Sequence, residues 1–230
     1  MTATLAVSEV FGPTWQGEGP STGQRSGFVR LARCNLDCTW CDTPYTWDWT
    51  RFSPESELRR VAVTEVVASV EAMGVDMLVI TGGEPLLQAR ALLPLLAAAG
   101  ERGWRVEVET NGTVAPPPEM AARVTAFNVS PKLANSGIGE SVRIRPAALE
   151  ALRTTGCAVF KFVVTAASDL DEVAALVAEH RLEPVYVMPE GTTAEVVLAR
   201  MRELAGPALA RGFHLTPRLH ILLWGDRRGR

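Results

Sequence analysis

Three cysteines stand close together: Cys34, Cys38 and Cys41, in the spacing C-x3-C-x2-C. Thiolates in such groups hold structural zinc or iron–sulfur clusters. Four would complete either kind of site, and three leave one position open. The fourth cysteine, Cys157, lies far away among valines and phenylalanines, where a core position is expected. Zinc would need a fourth ligand such as His214 or His220, but structural zinc sites usually come as two pairs of ligands, and here there is one triplet. The alternative is a 4Fe-4S cluster held by three cysteines, its remaining iron free to bind a substrate or cofactor. Asp37 and Asp42 make the loop polar, which argues against three buried, unligated thiols.

Other unusual peptides follow at intervals: Gly82-Gly83-Glu84-Pro85, Glu109-Thr110-Asn111-Gly112, Ser130-Pro131-Lys132 and Met188-Pro189-Glu190-Gly191. Each ends an apolar run that reads as a strand, and the elements between them explain why. Glu9 to Phe11 reads as a short strand running into an irregular Gly- and Pro-rich stretch, and Ser26 to Leu31 as the strand that delivers the chain to Cys34. A polar, Trp-rich connection spans Thr46 to Arg60. Helices are expected over Thr64–Met73, Leu86–Ala99, Pro146–Thr155, Asp169–His180 and Ala194–Leu204, with Gly74 and Gly100 as stops. Strands are expected over Asp76–Ile80, Arg105–Glu109, Thr125–Val129, Ala158–Val164 and Pro184–Val187, and around Gly212–Leu215.

Strand–helix alternation means a parallel sheet with crossover helices. Five or six units are too few for a closed eight-fold barrel, so an open, partial parallel β/α barrel is expected; a doubly wound sheet is the rival. In either, function gathers at the carboxyl ends of the strands, where the unusual peptides fall.

The chain has 230 residues, 47% hydrophobic and 21% charged, which suits one α/β domain over residues 1–230 with a substantial core. A net charge of −3 argues against a nucleic-acid partner, and the Arg227–Arg230 tail reads as solvated charge. There is no signal-peptide pattern and no long apolar run, so no membrane partner and a cytoplasmic location are expected; reduced thiols there favour metal or redox chemistry over disulfides.

Cys34, Cys38 and Cys41 match the signature of the radical S-adenosylmethionine (SAM) superfamily, in which an aromatic residue, here Trp40, often precedes the third cysteine. Gly82-Gly83-Glu84-Pro85 resembles that superfamily's second motif, which binds the methionine amino group of SAM. The stretch from Phe11 to Gly19, with Gln16-Gly17-Glu18-Gly19, is similar to the opening of the 7-carboxy-7-deazaguanine synthase family, as are Cys41-Asp42-Thr43, Glu109–Gly112 and Val129–Lys132. The resemblance runs from about residue 9 to residue 220. It departs at Met188–Gly191, where the family more often carries Gln-Pro, and loosens at Thr216–His220.

The resemblance implies a lyase that contracts 6-carboxy-5,6,7,8-tetrahydropterin to 7-carboxy-7-deazaguanine with loss of ammonia, a step toward 7-deazapurines such as queuosine. It implies a 4Fe-4S cluster on Cys34, Cys38 and Cys41, SAM, magnesium bound with the help of Thr43, an electron donor and a homodimer. Trp15, Gln16, Gly17, Arg30 and Thr110 would meet substrate, Arg30 pairing with its carboxylate; an edge-strand surface arginine is the other reading. Gly82, Gly83, Glu84, Gly112, Ser130, Pro131 and Lys132 would meet SAM, and Met188, Pro189, Glu190 and Gly191 its adenine. Glu18 would orient the substrate loop. A glycyl-radical activating enzyme of the same superfamily, or a zinc-binding module without catalysis, are the alternatives.

Overall fold

The computed structural model describes residues 3–230. The strands are β1 (Thr4–Trp15), β2 (Arg25–Leu31), β3 (Arg59–Ala62), β4 (Met77–Gly82), β5 (Arg105–Thr110), β6 (Ala126–Val129), β7 (Ala158–Val164), β8 (Val185–Pro189) and β9 (His214–Leu215). Among the described residues they form one sheet in the order β3-β1-β2-β4-β5-β6-β7-β8-β9. From β2 onward every pairing is parallel, and the strands follow one another in chain order. A doubly wound sheet reverses its order at a switch point, and this one never does. With right-handed crossovers the helices therefore all lie on one side, and β3 and β9 remain unpaired edges: an open, partial barrel.

Alternation along each strand divides the residues between two faces. Val29 and Leu31, Leu78 and Ile80, Val106 and Val108, Phe127 and Val129, and Phe160 and Phe162 point to the helices, where they join one buried apolar core. The opposite set faces the concave side. There Phe28, Met77 and Val79 form a separate apolar plug against Phe11, whose ring stacks on Phe28 with centroids 4.9 Å apart. Toward the carboxyl ends the same face turns polar, with Arg30, Thr81, Glu107, Glu109, Asn128 and Lys161.

The helix Asp169–His180 and the strand Ala158–Val164 fall where expected; other elements differ. β1 is a 12-residue strand, not a three-residue one, because register shifts between Val7 and Glu9 and between Phe11 and Thr14 let it continue through Gly12-Pro13 beside β2. β3, which begins at the end of the expected polar connection Thr46–Arg60, pairs antiparallel with β1. The segment after Gly83 begins as a 3-10 turn, Pro85–Gln88, before the helix Ala89–Glu101, so Gly100 lies inside that helix and Arg102 caps it. The helix from Ala194 runs on through Pro207 to Ala210. The C-terminal segment forms a further helix, Leu219–Trp224.

Candidate active site

The carboxyl ends of the strands enclose a cleft of about 360 Å³. The cysteine loop forms one wall: β2 ends at Leu31, and the chain turns through Arg33, held at φ 79°, into Cys34. Cys34, Cys38 and Cys41 all line the cleft, half-buried and without disulfides. Donors surround their sulfurs. The Leu36 amide donates to Cys34 Sγ at 3.5 Å, and the Trp47 indole Nε1–H donates to Cys41 Sγ at 3.3 Å. Burial pushes the Cys34 thiol up to about 11, against the pull of the Leu36 amide, and raises Cys38 as well. A metal must therefore displace protons from these thiols as it binds. Cys157 is elsewhere, packed against the core.

Opposite the thiols, β4 ends in Gly82-Gly83. A Cβ on Gly82 would lie 2.1 Å from the Leu31 carbonyl oxygen, and one on Gly83 would lie 2.0 Å from that of Arg33. Only glycines let this turn press backbone to backbone on the strand end that delivers Cys34. Glu84 does not reach the cleft. Its carboxylate is fully buried and accepts from the Leu86 amide (2.9 Å), the Thr110 hydroxyl (2.8 Å) and the Asn111 amide (2.7 Å). Burial raises its pKa even against these donors. Glu84 thus locks the end of β4 to the end of β5 and fixes the Gly-Gly turn from beneath.

Trp15, Gln16, Gly17, Arg30, Thr43, Thr110, Ser130, Lys132, Met188 and Glu190 also line the cleft, while Gly112, Pro131, Pro189 and Gly191 lie behind its wall. Gly112, at φ 78°, has no room for a side chain: a Cβ would lie 2.9 Å from Val129 Cγ1. Arg30 is not on an edge strand, since β2 lies between β1 and β4. Its guanidinium stands 5.4 Å from the Phe11 ring centre and 3.6 Å from Glu9, and its buried Nε has no hydrogen-bond partner. Lys132 donates to the Ser130 hydroxyl at 2.9 Å and lies over the Trp40 ring.

The floor holds a buried charge network that the sequence does not announce. Lys161 Nζ lies 2.5 Å from Glu18 Oε2 and 3.8 Å from Glu109 Oε1. Glu109 also accepts from Gln16 Nε2 (3.2 Å) and the Thr81 hydroxyl (2.9 Å). Arg218 reaches Glu18 at 3.3 Å, pairs with Asp42 and donates to the Gly191 carbonyl at 2.6 Å. Burial alone would raise the Glu18 carboxyl; Lys161, Arg218 and His220 together hold it well below the usual carboxylate range. The segment Thr216–His220 is thereby part of the site. Its Thr216 hydroxyl accepts from the Gly19 amide at 2.8 Å, and the Leu219 amide donates to the Gly17 carbonyl at 2.8 Å. The arginine tail is likewise not simply solvated: Arg228 pairs with Glu9 and with Glu57 (2.7 Å) and lies over Tyr45. The one sequence signal for Lys161 is a lone charge between two phenylalanines of a buried strand.

Among the described residues no three His, Cys, Asp or Glu side chains converge on a single ion. His214 stacks on Tyr186, and His220 sits 4.0 Å from Glu18, so neither joins the cysteines as a zinc ligand. A cubane cluster asks for something different, a thiolate for each of three irons, and a polar loop with N–H donors around its sulfurs suits it.

A partial barrel in which a C-x3-C-x2-C loop faces a Gly-Gly turn across one cleft defines a radical SAM protein, and the model of the Radical SAM superfamily matches residues 29–132. Two relatives named 7-carboxy-7-deazaguanine synthase, from Pyrobaculum aerophilum and Halobacterium salinarum, are each 38% identical. The first match covers 100% of this chain and 99% of the relative; the second covers 96% and 91%. The crystal structure of QueE from Escherichia coli is 26% identical, with a TM-score of 0.71 over 94% of this chain and 95% of that one. The chain belongs to the 7-carboxy-7-deazaguanine synthase family of radical SAM enzymes. Membership brings a 4Fe-4S cluster, SAM and the need for an electron donor, and sets aside both the zinc module and the glycyl-radical activating enzyme. Among the described residues no helix is long and apolar enough to cross a membrane.

Proposed function

We propose that the cleft takes 6-carboxy-5,6,7,8-tetrahydropterin between the Trp15–Gly17 loop and the cysteine loop, and that the chain contracts it to 7-carboxy-7-deazaguanine with loss of ammonia. One observation carries the reading: Arg30, whose buried Nε has no hydrogen-bond partner although Glu9 stands 3.6 Å away, lines the same cleft as both loops. A guanidinium so disposed matches a carboxylate through two parallel N–H donors.

The other residues suit the same ligand. Gln16, already oriented by Glu109, and the peptide groups of Trp15 and Gly17 offer donors and acceptors to a heterocycle edge. Asn128 presents a buried Oδ1 without a partner to the same cleft. Thr110 gives its hydroxyl proton to Glu84 and accepts from the Gly112 amide at 3.2 Å, which leaves one oxygen lone pair as an acceptor. Thr43 carries a hydroxyl beside Cys41 and would supply one hard oxygen to a magnesium ion completed by substrate carboxylate and water. Cys34, Cys38 and Cys41 would hold the cluster; the carbonyls of Gly82 and Gly83, fixed by Glu84, would meet the methionine end of SAM; Ser130 and Lys132 its carboxylate side; and Met188, with Glu190, its adenine. When bound, the cluster and SAM supply a primary carbon radical that takes a hydrogen atom from the substrate. The chain's own task is to hold the reacting carbon beside that radical and keep water out. The apolar plug of Phe11, Phe28, Met77 and Val79 closes the lumen below.

The same reading carries a single-domain, homodimeric, cytoplasmic enzyme without a nucleic-acid partner, and sedimentation of the reconstituted protein tests the dimer. For the reaction, the reconstituted protein is incubated anaerobically with SAM, dithionite, magnesium and the carboxy-pterin. 7-Carboxy-7-deazaguanine is the expected product. Release of 5′-deoxyadenosine without it would leave the superfamily chemistry standing and remove this substrate.

A further inference from the structure

Outside the cleft lies a second groove, about 740 Å³, lined by Arg33, the residue before the first cysteine. Its apolar centre includes Leu87, Pro116 and Pro117, and its rim carries Arg33, Arg60 and Arg90. Leu87 is 46% exposed. The three arginines are exposed, and among the described residues none has a carboxylate within 4 Å. Of the other eighteen arginines, ten have a carboxylate within 4 Å, as Arg143 has Glu172 and Arg153 has Glu150.

Local stability does not account for this concentration of positive charge. Arg90 stands in the first turn of the helix Ala89–Glu101, where a cation opposes the helix dipole. Arg60 lies on the edge strand β3. Three unpaired cations around one groove repel one another, in a chain whose net charge is −3. An apolar centre inside a charged rim is the anatomy of a protein–protein contact, and open, exposed arginines are the wrong geometry for trapping a small ion.

The position of the groove says what should bind. Arg33 is the residue before Cys34, so the two Cα atoms are about 3.8 Å apart. Arg33 lines the groove while Cys34 lines the cleft, so one backbone layer at this peptide separates the two. The cleft side of that layer belongs to substrate and SAM. We propose that this groove docks the electron donor: an acidic one-electron carrier protein whose redox group lies near a surface ringed with carboxylates. One electron leaves the carrier, which is oxidised, and enters the cluster, which is reduced; no bond or proton moves. The proposal rests on superfamily membership and is independent of the pterin assignment.

The test uses the reconstituted holoenzyme without pterin, and follows bleaching of the cluster's thiolate-to-iron absorption by stopped flow. The probe is a small acidic FMN carrier in its hydroquinone form; dithionite is the reductant that needs no docking. R60E/R90E removes the rim charge without touching Arg33, and R145E/R181E makes the same charge change at exposed arginines away from the groove. The carrier should reduce R60E/R90E at least tenfold more slowly than wild type at low salt, and the wild-type rate should fall steeply as salt rises. Dithionite should reduce both proteins equally, and R145E/R181E should behave as wild type. R60Q/R90Q should fall between them, and gives the reading if the double reversal folds poorly. A wild-type carrier rate in R60E/R90E, equal slowing with dithionite, or equal slowing in R145E/R181E overturns the proposal. So does conversion of a dimer to monomer with the carrier rate unchanged, which would make the groove a contact between copies.

Discussion

Lys161→Met removes one cation from the buried network and leaves two carboxylates behind. Lys161 is 5% exposed and stands 2.5 Å from Glu18 and 3.8 Å from Glu109. Breaking a buried pair by deleting one partner costs about 3–5 kcal/mol, mostly the cost of the charge left behind. Arg218 remains 3.3 Å from Glu18, and Gln16 and Thr81 still donate to Glu109, so the lower end applies. At about 2–4 °C per kcal/mol for a chain of this size, 3 kcal/mol lowers Tm by about 6–12 °C.

The sign of the pH dependence follows from Glu18. Its folded carboxyl is held below the ordinary value of 4.5, so its stabilisation is complete above that value and drains away as pH falls through the folded one. In Lys161→Met, burial and the loss of the nearest cation bring that carboxyl back up, so the variant has less of this stabilisation to lose. The gap in Tm between the two proteins should be widest near neutral pH and narrow as pH drops through about 4. Scanning calorimetry of the apo-protein from pH 7.5 to about 3 reads both quantities, and the double variant Lys161→Met/Glu18→Gln should recover at least about 1 kcal/mol of the loss. A Tm within 2 °C of wild type by that same scale, or a gap that does not change with pH, would falsify the claim that Lys161 neutralises Glu18.

Trp47→Phe deletes the N–H donor to Cys41 Sγ, and a bond that stabilises the reduced cluster by about 0.5–1.5 kcal/mol corresponds to a midpoint roughly 20–60 mV more negative for one electron. An EPR-monitored redox titration measures it, and an unchanged midpoint with full iron content rules the bond out as a tuning contact. Thr43→Ala should retain the cluster and lose stimulation by magnesium; undiminished magnesium dependence removes Thr43 as a ligand. Gly83→Ala forces a methyl group onto the Arg33 carbonyl, costs about 1–3 kcal/mol of overpacking and should weaken SAM binding at least tenfold by equilibrium dialysis. Wild-type affinity there would mean that the Gly-Gly turn is looser than its contacts imply.

The cysteine loop and the strand-end peptides were legible because chemistry fixes residue type and spacing over a few positions. The core elements were legible for a different reason. Ala158–Val164 is an apolar run of strand length, and Asp169–His180 has acidic residues in its first turn and a helical apolar stripe. β3 was hidden because only Val61 of its four residues is buried, and two exposed arginines disguise the rest as loop. The helix expected over Ala194–Leu204 continues through Gly206-Pro207, and packing of Leu204 and Ala208 carries it to Ala210. Arg218 and Lys161 gave no spacing signal at all, since each meets partners contributed by distant loops and strands.

That long-range wiring also explains how an irregular opening of glycines and prolines can present a fixed set of groups. The stretch Gln16–Gly19 has too little regular structure to hold itself in place. It is held from the far end of the chain: Leu219 donates to Gly17, Thr216 accepts from Gly19, and Arg218 grips Glu18 while pairing with Asp42 of the cysteine loop and donating to Gly191. One buried guanidinium therefore joins the N-terminal loop, the cysteine loop and the turn after β8. Because its fork of donors is planar and rigid, a shift of any one loop is felt by the other two, so the three walls of the cleft are set together. A lysine at this position would carry its three donors on one rotating nitrogen and could not fix the partners' mutual angles, so the arginine, and not the charge alone, is what the geometry requires.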